Sequence, residues 1–185
     1  MGGGGGHGAF LRKDANLSDV DDVEASQKNL ELFDGRSNTY LGEDAGEKLK
    51  EGGSTGNENT ALGKSALLEN TSGNSNTAVG TGALFNNTAS NNTAVGSSAL
   101  QNNTIGTSNT ALGSSALQNN TEGSGNTALG ISALQNNTEG DDNTAVGGAA
   151  LQNNTIGNFN TALGTSALFN NTEGGSNTAV GGAAL

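Results

Sequence analysis

The chain reads as an all-β protein, a parallel β-solenoid or β-roll of 17-residue turns, preceded by a short N-terminal helix and a glycine-rich leader. Three observations predict this. Copies of N-T-A-[LV]-G begin at Asn59, Asn76, Asn92, Asn109, Asn126, Asn143, Asn160 and Asn177, each 17 after the last except for a single step of 16, and a fixed period of that size signals a repeat architecture. Each copy holds only two short apolar blocks, too few for a helical hairpin and without the i, i+3, i+4, i+7 spacing of an amphipathic helix. Alternation through T-A-L-G suits a short strand instead.

Composition alone gives a different impression. Of 185 residues 31% are hydrophobic and 31 are glycine, with no cysteine and no proline. Such polar, glycine-rich chains usually fail to bury enough apolar surface to fold. Periodicity argues against disorder here. Without cysteine there is neither a disulfide framework nor a thiolate metal site. No stretch approaches the roughly 20 apolar residues that cross a bilayer. The first residues lack a basic-then-apolar signal pattern, so neither export nor membrane anchoring is expected.

Charge divides the chain in two. Its net charge of −11 disfavours nucleic acid as a partner, because affinity for phosphate rests on clustered Lys and Arg. The last of the seven cations (Arg12, Lys13, Lys28, Arg36, Lys48, Lys50, Lys64) is Lys64, and everything beyond it carries six acids and no cation.

The elements follow in order. Residues 1–16, opening on "MGGGGGHGAF", form a leader; glycine permits either flexibility or close docking into a partner groove. Phe10 and Leu11 are candidate contacts for seating the chain in a larger particle. Residues 17–37 are predicted to form a short helical trimerisation collar. Asp19 or Asp21 can cap a helix from about Asp22 to Asn29, with acids at its start and Lys28 near its end. Val20, Val23, Leu30 and Leu32 are expected to pack against sister chains. Residues 38–58 read as a degenerate capping turn, with Asn38-Thr39-Tyr40-Leu41-Gly42 in register but separated from the copy at Asn59 by a longer interval than the repeat allows elsewhere. Tyr40 replaces the repeated alanine there. Glu43, Asp44, Glu47, Lys48, Lys50 and Glu51 supply a polar cap that blunts the sheet edge.

Residues 59–185 are the solenoid repeats. All eight copies keep Ala at position 3, Gly at 5 and Ala-Leu at 8 and 9, counting from the Asn. Position 4 is always Leu or Val: Leu62, Val79, Val95, Leu112, Leu129, Val146, Leu163 and Val180. Position 9 supplies Leu67, Leu84, Leu100, Leu117, Leu134, Leu151, Leu168 and Leu185. Positions 4 and 9 together are the predicted solenoid core. Stacking of equivalent residues about 4.8 Å apart would make Asn86, Asn102, Asn119, Asn136, Asn153 and Asn170 a ladder bonded to its own kind. The alanine columns imply close approach of another backbone, across the coil or from a neighbouring chain. In the one shortened copy Ala89-Ser90-Asn91 replaces the longer T-x-G-x-x loop, so a loop absorbs the deletion. About nine turns at about 4.8 Å make a rod of order 40 Å. A thin coil with two Leu-class side chains per turn gains little against the backbone entropy of ordering the whole turn, so self-association is expected.

These motifs, N-T-A-[LV]-G followed by x-x-A-L, resemble the S-V-A-I-G repeats of trimeric autotransporter adhesin heads of the YadA kind. That resemblance covers residues 59–185 and implies a trimeric, left-handed parallel β-roll, although the family's repeat is shorter and N-N-T-x-G supplies the extra length here. Similar arrays also look like those of bacteriophage tail fibres. "NLSDVDDVEASQKNLEL", Asn16 to Leu32, resembles the L-S-D-[LV]-x-D-x-x-x-A-R-x-N-L segment of phage tail fibres, with Ser26 and Gln27 where the family's Arg is expected. The resemblance implies a virion protein of a phage tail, seated by its N-terminus and involved in host attachment. Its implied partners are two further copies of itself, other tail or fibre proteins and a host surface receptor, with no nucleic acid and no membrane insertion. A bacterial trimeric adhesin head is the first alternative; it is expected to accompany a signal peptide and a membrane barrel segment, which this sequence does not show. An ice-binding solenoid is the second, because Thr and Asn ladders can order water. Leu185 ends the sequence on a repeat, so either another protein continues the fibre or the chain is a short decoration.

No enzyme and no cofactor are expected. "ENTALGKS" imitates a phosphate-binding loop, but Glu58 stands where the first glycine is needed. His7 is the one histidine and lies among glycines, which leaves no His-based triad or zinc site. Asn102-Asn103-Thr104 and its counterparts form glycosylation sequons, read here as loop structure. Glu122, Glu139, Asp141 and Asp142 are read as solvated charge rather than a cation site. Phe85, Phe159 and Phe169, which vary against Gln and smaller residues in other copies, are candidate partner contacts alongside loop packing.

Overall fold

A computed structural model describes residues 36–185. The leader, the collar up to residue 35 and the candidate contacts Phe10, Leu11, Val20, Val23, Leu30 and Leu32 lie outside the described residues. What is described is a parallel β-solenoid. Its strands are β1 (Thr39–Leu41), β2 (Thr60–Leu62), β3 (Thr77–Val79), β4 (Thr93–Val95), β5 (Thr110–Leu112), β6 (Thr127–Leu129), β7 (Thr144–Val146), β8 (Thr161–Leu163) and β9 (Thr178–Val180). They form one nine-stranded parallel sheet in chain order. The register is that of the repeat, Thr on Thr, Ala on Ala and Leu or Val on Leu or Val, with Tyr40 opposite Ala61 as the one change of type in the middle row.

Bonding between turns is not confined to the sheet. In the turn that starts at Asn109, the Thr110 amide donates to the Asn126 carbonyl of the next turn, and the Gly113 and Ser115 amides donate to Val95 and Ser97 of the preceding one. Leu117 and Asn119 donate forward to Ala133 and Gln135, and the amides of Thr121, Glu122 and Gly123 all converge on the Thr138 carbonyl. The whole perimeter is therefore a ladder, which satisfies the backbone of a chain with very little regular strand.

Left-handed residues make the corners. In the same turn Ser115 has φ 58° and Leu117 φ 51°, and the preceding corner residue Ser108 has φ 58°. Gly113 shows why position 5 is always glycine. Its φ is 140°, and a Cβ there would lie 2.4 Å from the Gly130 carbonyl oxygen of the next turn. Only a residue without a side chain lets successive turns approach this closely while the strand bends away.

The interior departs from the predicted core at one column. Position 9 is inside as expected, with Leu67, Leu84, Leu100, Leu117, Leu134 and Leu151 fully buried and Leu168 nearly so. Position 4 is not. Leu62, Leu112, Leu129, Leu163 and Val180 are exposed, and Val79, Val95 and Val146 are half-buried. The cause is the pleat: three consecutive strand residues point out, in and out, and the inward place is taken by alanine. Ala61, Ala78, Ala94, Ala111, Ala128, Ala145 and Ala162 are buried, as are their position-8 partners such as Ala116 and Ala133. Of the two readings of the alanine columns, close approach across the coil is the one observed. Leu185 also lies outside the core, 89% exposed in the last turn.

Two columns of asparagine complete the interior. Asn109 donates from Nδ2 to the Gly123 carbonyl at 2.8 Å, while its Oδ1 accepts the Asn126 amide at 2.9 Å. Asn120 donates from Nδ2 to Asn103 Oδ1 at 2.7 Å and to the Gly123 carbonyl at 2.8 Å. Every buried side-chain nitrogen and oxygen among the described residues has a partner. A polar core is tolerable in a low-dielectric interior when its groups are satisfied in this way.

The first turn shows how the pattern bends. Gly46, φ 58°, donates to the Ala66 carbonyl as Leu67 donates to Ala83, so Gly46 occupies the position-9 leucine's place. Tyr40, in the alanine's place, is 2% exposed and fills the vacated volume; a Cβ on Gly46 would sit 2.3 Å from Tyr40 Cε1. Large and small have exchanged sides of the coil. Leu49 takes the place of the buried position-12 Asn, and the extra length of this turn is the segment Lys50 to Gly53. Within the turn lies the short helix α1 (Glu47–Lys50). Arg36 ties the insertion down, donating to the carbonyls of Ser54 and Leu49.

The shortened turn, from Asn76 to Asn91, loses position 14. Thr88 still donates from Oγ1 to the Thr104 carbonyl, and Ser90 Oγ still accepts the Asn74 amide. Ala89 stands in for the loop glycine. Its carbonyl accepts Nδ2 of Asn76 and of Asn87, each at 2.8 Å.

Candidate functional site

The outer surface of the coil presents side chains from three places, each with its own chemistry. The sheet face carries position 2, always Thr, and position 4, always Leu or Val, as two rows running along the axis. Leu112 is 45% exposed in the middle of this face, and Ile131, at position 6 beside Leu129, is 69% exposed. No charged residue occurs in either row in any of the nine strands. Sequence reasoning assigned the Leu/Val row to the core and so missed it as a surface.

A second surface is an amide ladder at positions 10 and 11. Gln118 donates to Gln101, Gln135 to Gln118 and Gln152 to Gln135 at 2.7–3.1 Å. The expected asparagine ladder is present beside it, running the opposite way: Asn86 donates to Asn102, and the chain of donors continues through Asn119, Asn136 and Asn153 to Asn170 at 3.0–3.1 Å. Opposed amide directions keep the two rows from summing into a large dipole. Phe85 and Phe169 cap the Gln row at either end and are half-buried.

The third surface is the loop corner at positions 13 to 17, where five of the six acids beyond Lys64 gather, Glu69 at position 11 being the exception. Asp141 Oδ1 accepts the Ser124 amide at 2.7 Å, and the Asp141 amide in turn donates to Asn158 Oδ1 at 2.5 Å. Asp141 is thus a rung of the corner ladder. No group of three or more His, Cys, Asp or Glu that could hold a metal occurs among the described residues. Phe159, at position 17, is 63% exposed and is the most exposed aromatic among the described residues.

Charge pairs among the described residues lie in the first turns. Lys48 Nζ lies 2.7 Å from Glu51 Oε1 and Lys64 Nζ 2.9 Å from Glu43 Oε2. The hydrogen bond to Glu51 and then its charge raise Lys48 above its ordinary value of 10.5, and Glu43 does the same for Lys64. Lys64 belongs to the segment that imitates a phosphate-binding loop. There it follows strand β2 and pairs across to the first turn, and Ser65 is a left-handed corner with φ 56° rather than the start of a helix. The cradle of backbone amides that phosphate needs is not formed.

No family model, no curated protein and no solved structure matches the chain. Among the described residues no helix is long and apolar enough to cross a membrane.

Proposed function

We propose that this chain is a non-enzymatic structural protein, a fibre or fibre adaptor of a bacteriophage tail, built as a homotrimer, attached through its N-terminal segment and involved in host attachment. The observation that carries the reading is the unbroken sheet, nine strands in register with every turn bonded to the next around its perimeter. A coil of that kind holds its direction over about 38 Å, eight steps of about 4.8 Å. Rigid reach, rather than a pocket with converging reactive groups, is what such a geometry offers. The resemblance of Asn16 to Leu32 to phage tail-fibre segments supports the virion setting.

Immunogold labelling tests it. Antibody raised against the repeats should decorate the tails of virions, and purified protein added to host cells should slow phage adsorption. Label on the surface of uninfected bacteria would overturn the phage setting and favour the adhesin head, for which the same rigid reach would serve. The outward Thr row, regular and uncharged, favours the ice-binding reading as the remaining alternative; thermal hysteresis in the purified protein would support it, and none at millimolar protein would remove it.

A further inference from the structure

The amide ladders at positions 10 and 11 leave half of their hydrogen-bonding capacity unused. Gln118 donates to Gln101 and accepts from Gln135, while Asn119 donates to Asn136 and accepts from Asn102. A primary amide has two N–H donors and two acceptor lone pairs. The ladder takes one of each, so Gln118, Asn119 and their counterparts Gln135 and Asn136 keep one N–H and one lone pair, and all four side chains are half-buried rather than closed off. This surface has definite ends. The pair is Gln-Asn in four successive turns, with Phe85-Asn86 before them and Phe169-Asn170 after them. Across positions 9 to 13 of these six turns no side chain is charged, and the run begins one turn beyond Glu69. Five steps of about 4.8 Å set the two phenylalanines about 24 Å apart.

We infer that this surface binds an extended, uncharged β-1,4-linked hexose polymer lying along the coil axis, its hydroxyls on the amides and its sugar faces against Phe85 and Phe169 at either end. The inference rests on the host-attachment reading above and names the class of receptor. Period selects the ligand. An extended peptide advances about 3.3 Å per residue and falls out of step with rungs of about 4.8 Å, whereas an extended β-1,4-linked chain advances close to one rung per sugar. Each hydroxyl both donates and accepts, which matches the one N–H and one lone pair that each amide keeps. Charge narrows the class further. With no cation along the run and a net charge of −11 on the chain, anionic glycans and nucleic acid find nothing to neutralise their charge. A protein partner would look for an apolar, aromatic-rich centre, but between Phe85 and Phe169 the surface offers only amides. A pyranose has polar edges for those amides and apolar C–H faces for the aromatic rings.

Isothermal titration of the full chain tests the surface. Cellohexaose should bind, whereas maltohexaose, whose α-1,4 linkages curl the chain away from a straight row, should not. Q118L/Q135L should weaken cellohexaose binding by about tenfold or more. Leu68 already occupies the same column, so this variant should keep the parent's circular dichroism. F159S, at the loop corner, should bind as the parent does. No heat from cellohexaose at millimolar sugar, equal binding of the two hexasaccharides, unchanged affinity in Q118L/Q135L, or an equal loss in F159S would each overturn the site. If Q118L/Q135L does not fold, N119A decides in its place: a loss of about threefold or more supports the site, and unchanged affinity overturns it. Purified protein that slows phage adsorption yet binds neither hexasaccharide would overturn the sugar site and leave host attachment standing. Protein that binds cellohexaose but does not slow adsorption would overturn the attachment reading and leave the site.

Discussion

Asn119 and Asn120 are neighbours of the same type, and replacing each by alanine separates what buried and wet ladders contribute. Asn120 makes three side-chain hydrogen bonds: it donates to Asn103 Oδ1 and the Gly123 carbonyl and accepts from Asn137 Nδ2, at 2.7, 2.8 and 2.8 Å, all within the buried interior. Its loss leaves the Gly123 carbonyl with Asn109 and the Asn137 amide with Gly140. Asn103 Oδ1 and one N–H of Asn137 lose the partner they had, in a space too dry to replace it. Each buried group left unsatisfied costs about 1–3 kcal/mol, so N120A should destabilise by about 2–6 kcal/mol. Asn119 donates to Asn136 and accepts from Asn102, both at 3.0 Å, but on the half-exposed surface where water substitutes. N119A should cost less than about 1 kcal/mol. Urea unfolding followed by circular dichroism reads both as midpoint shifts at unchanged slope. Equal shifts, or a larger one for N119A, would refute the claim that the position-12 asparagines hold the core.

Three further outcomes follow from the same packing. Ala128 is fully buried and faces the coil interior; A128L should overpack it and cost about 1–3 kcal/mol or more, visible in the urea midpoint at concentrations where no oligomer forms. Lys64 is held above its ordinary value of 10.5 by Glu43, so the pair's contribution is full below that pH and vanishes as pH rises through the raised value. Stability profiles of K64Q and the parent should therefore differ slightly at neutral pH and converge in strong alkali. A Gly-Ser-Gly-Ser insertion between Asn120 and Thr121 reproduces the place of Lys50–Gly53 in the first turn and should cost about 1 kcal/mol; the same insertion between Gly113 and Ser114 should abolish cooperative thermal unfolding.

The period, the parallel stacking and the one strand per turn were legible because they follow from the repeat alone. The sidedness of the strand was misjudged, for a physical reason. Ranking by hydrophobicity sends Leu and Val inward and leaves Ala as filler. Variation among copies points the other way. Position 4 alternates between Leu and Val, which a surface tolerates, while position 3 is Ala in all eight copies, as a crowded interior demands. Position 9, invariant Leu, obeys the same rule and is buried in all but the last turn. The exchange of Tyr40 and Gly46 was half visible: tyrosine in an alanine column was plain, but its compensation at Gly46 required knowing that both columns face one cavity. The left-handed Leu117, φ 51°, had no signal at all, because leucine is among the residues least expected there.

Turn length shows where the coil tolerates change. Among the described turns the first is longer than the repeat and the one from Asn76 is shorter, and both departures fall at one corner, between positions 12 and 15. There Lys50 to Gly53 bulge outward in the first turn, and a position is omitted between Thr88 and Ala89. Neither change moves a strand. β1 still pairs Leu41 with Leu62, and β3 pairs Val79 with Val95 across the short turn. A single deletion anywhere in the strand would instead turn its outward side chains in. The coil therefore absorbs irregularity on the loop side and keeps the Thr and Leu/Val rows continuous from Leu41 to Val180. The coil itself requires that continuity, since the residue between the two outward ones in each strand is the buried alanine, or Tyr40 in β1, and a slip of one residue would turn it out. The corner that varies and the strand that does not are thus what the coil's own packing requires: the loop side carries no inward residue that an added or omitted position would displace, and the strand carries the alanine column.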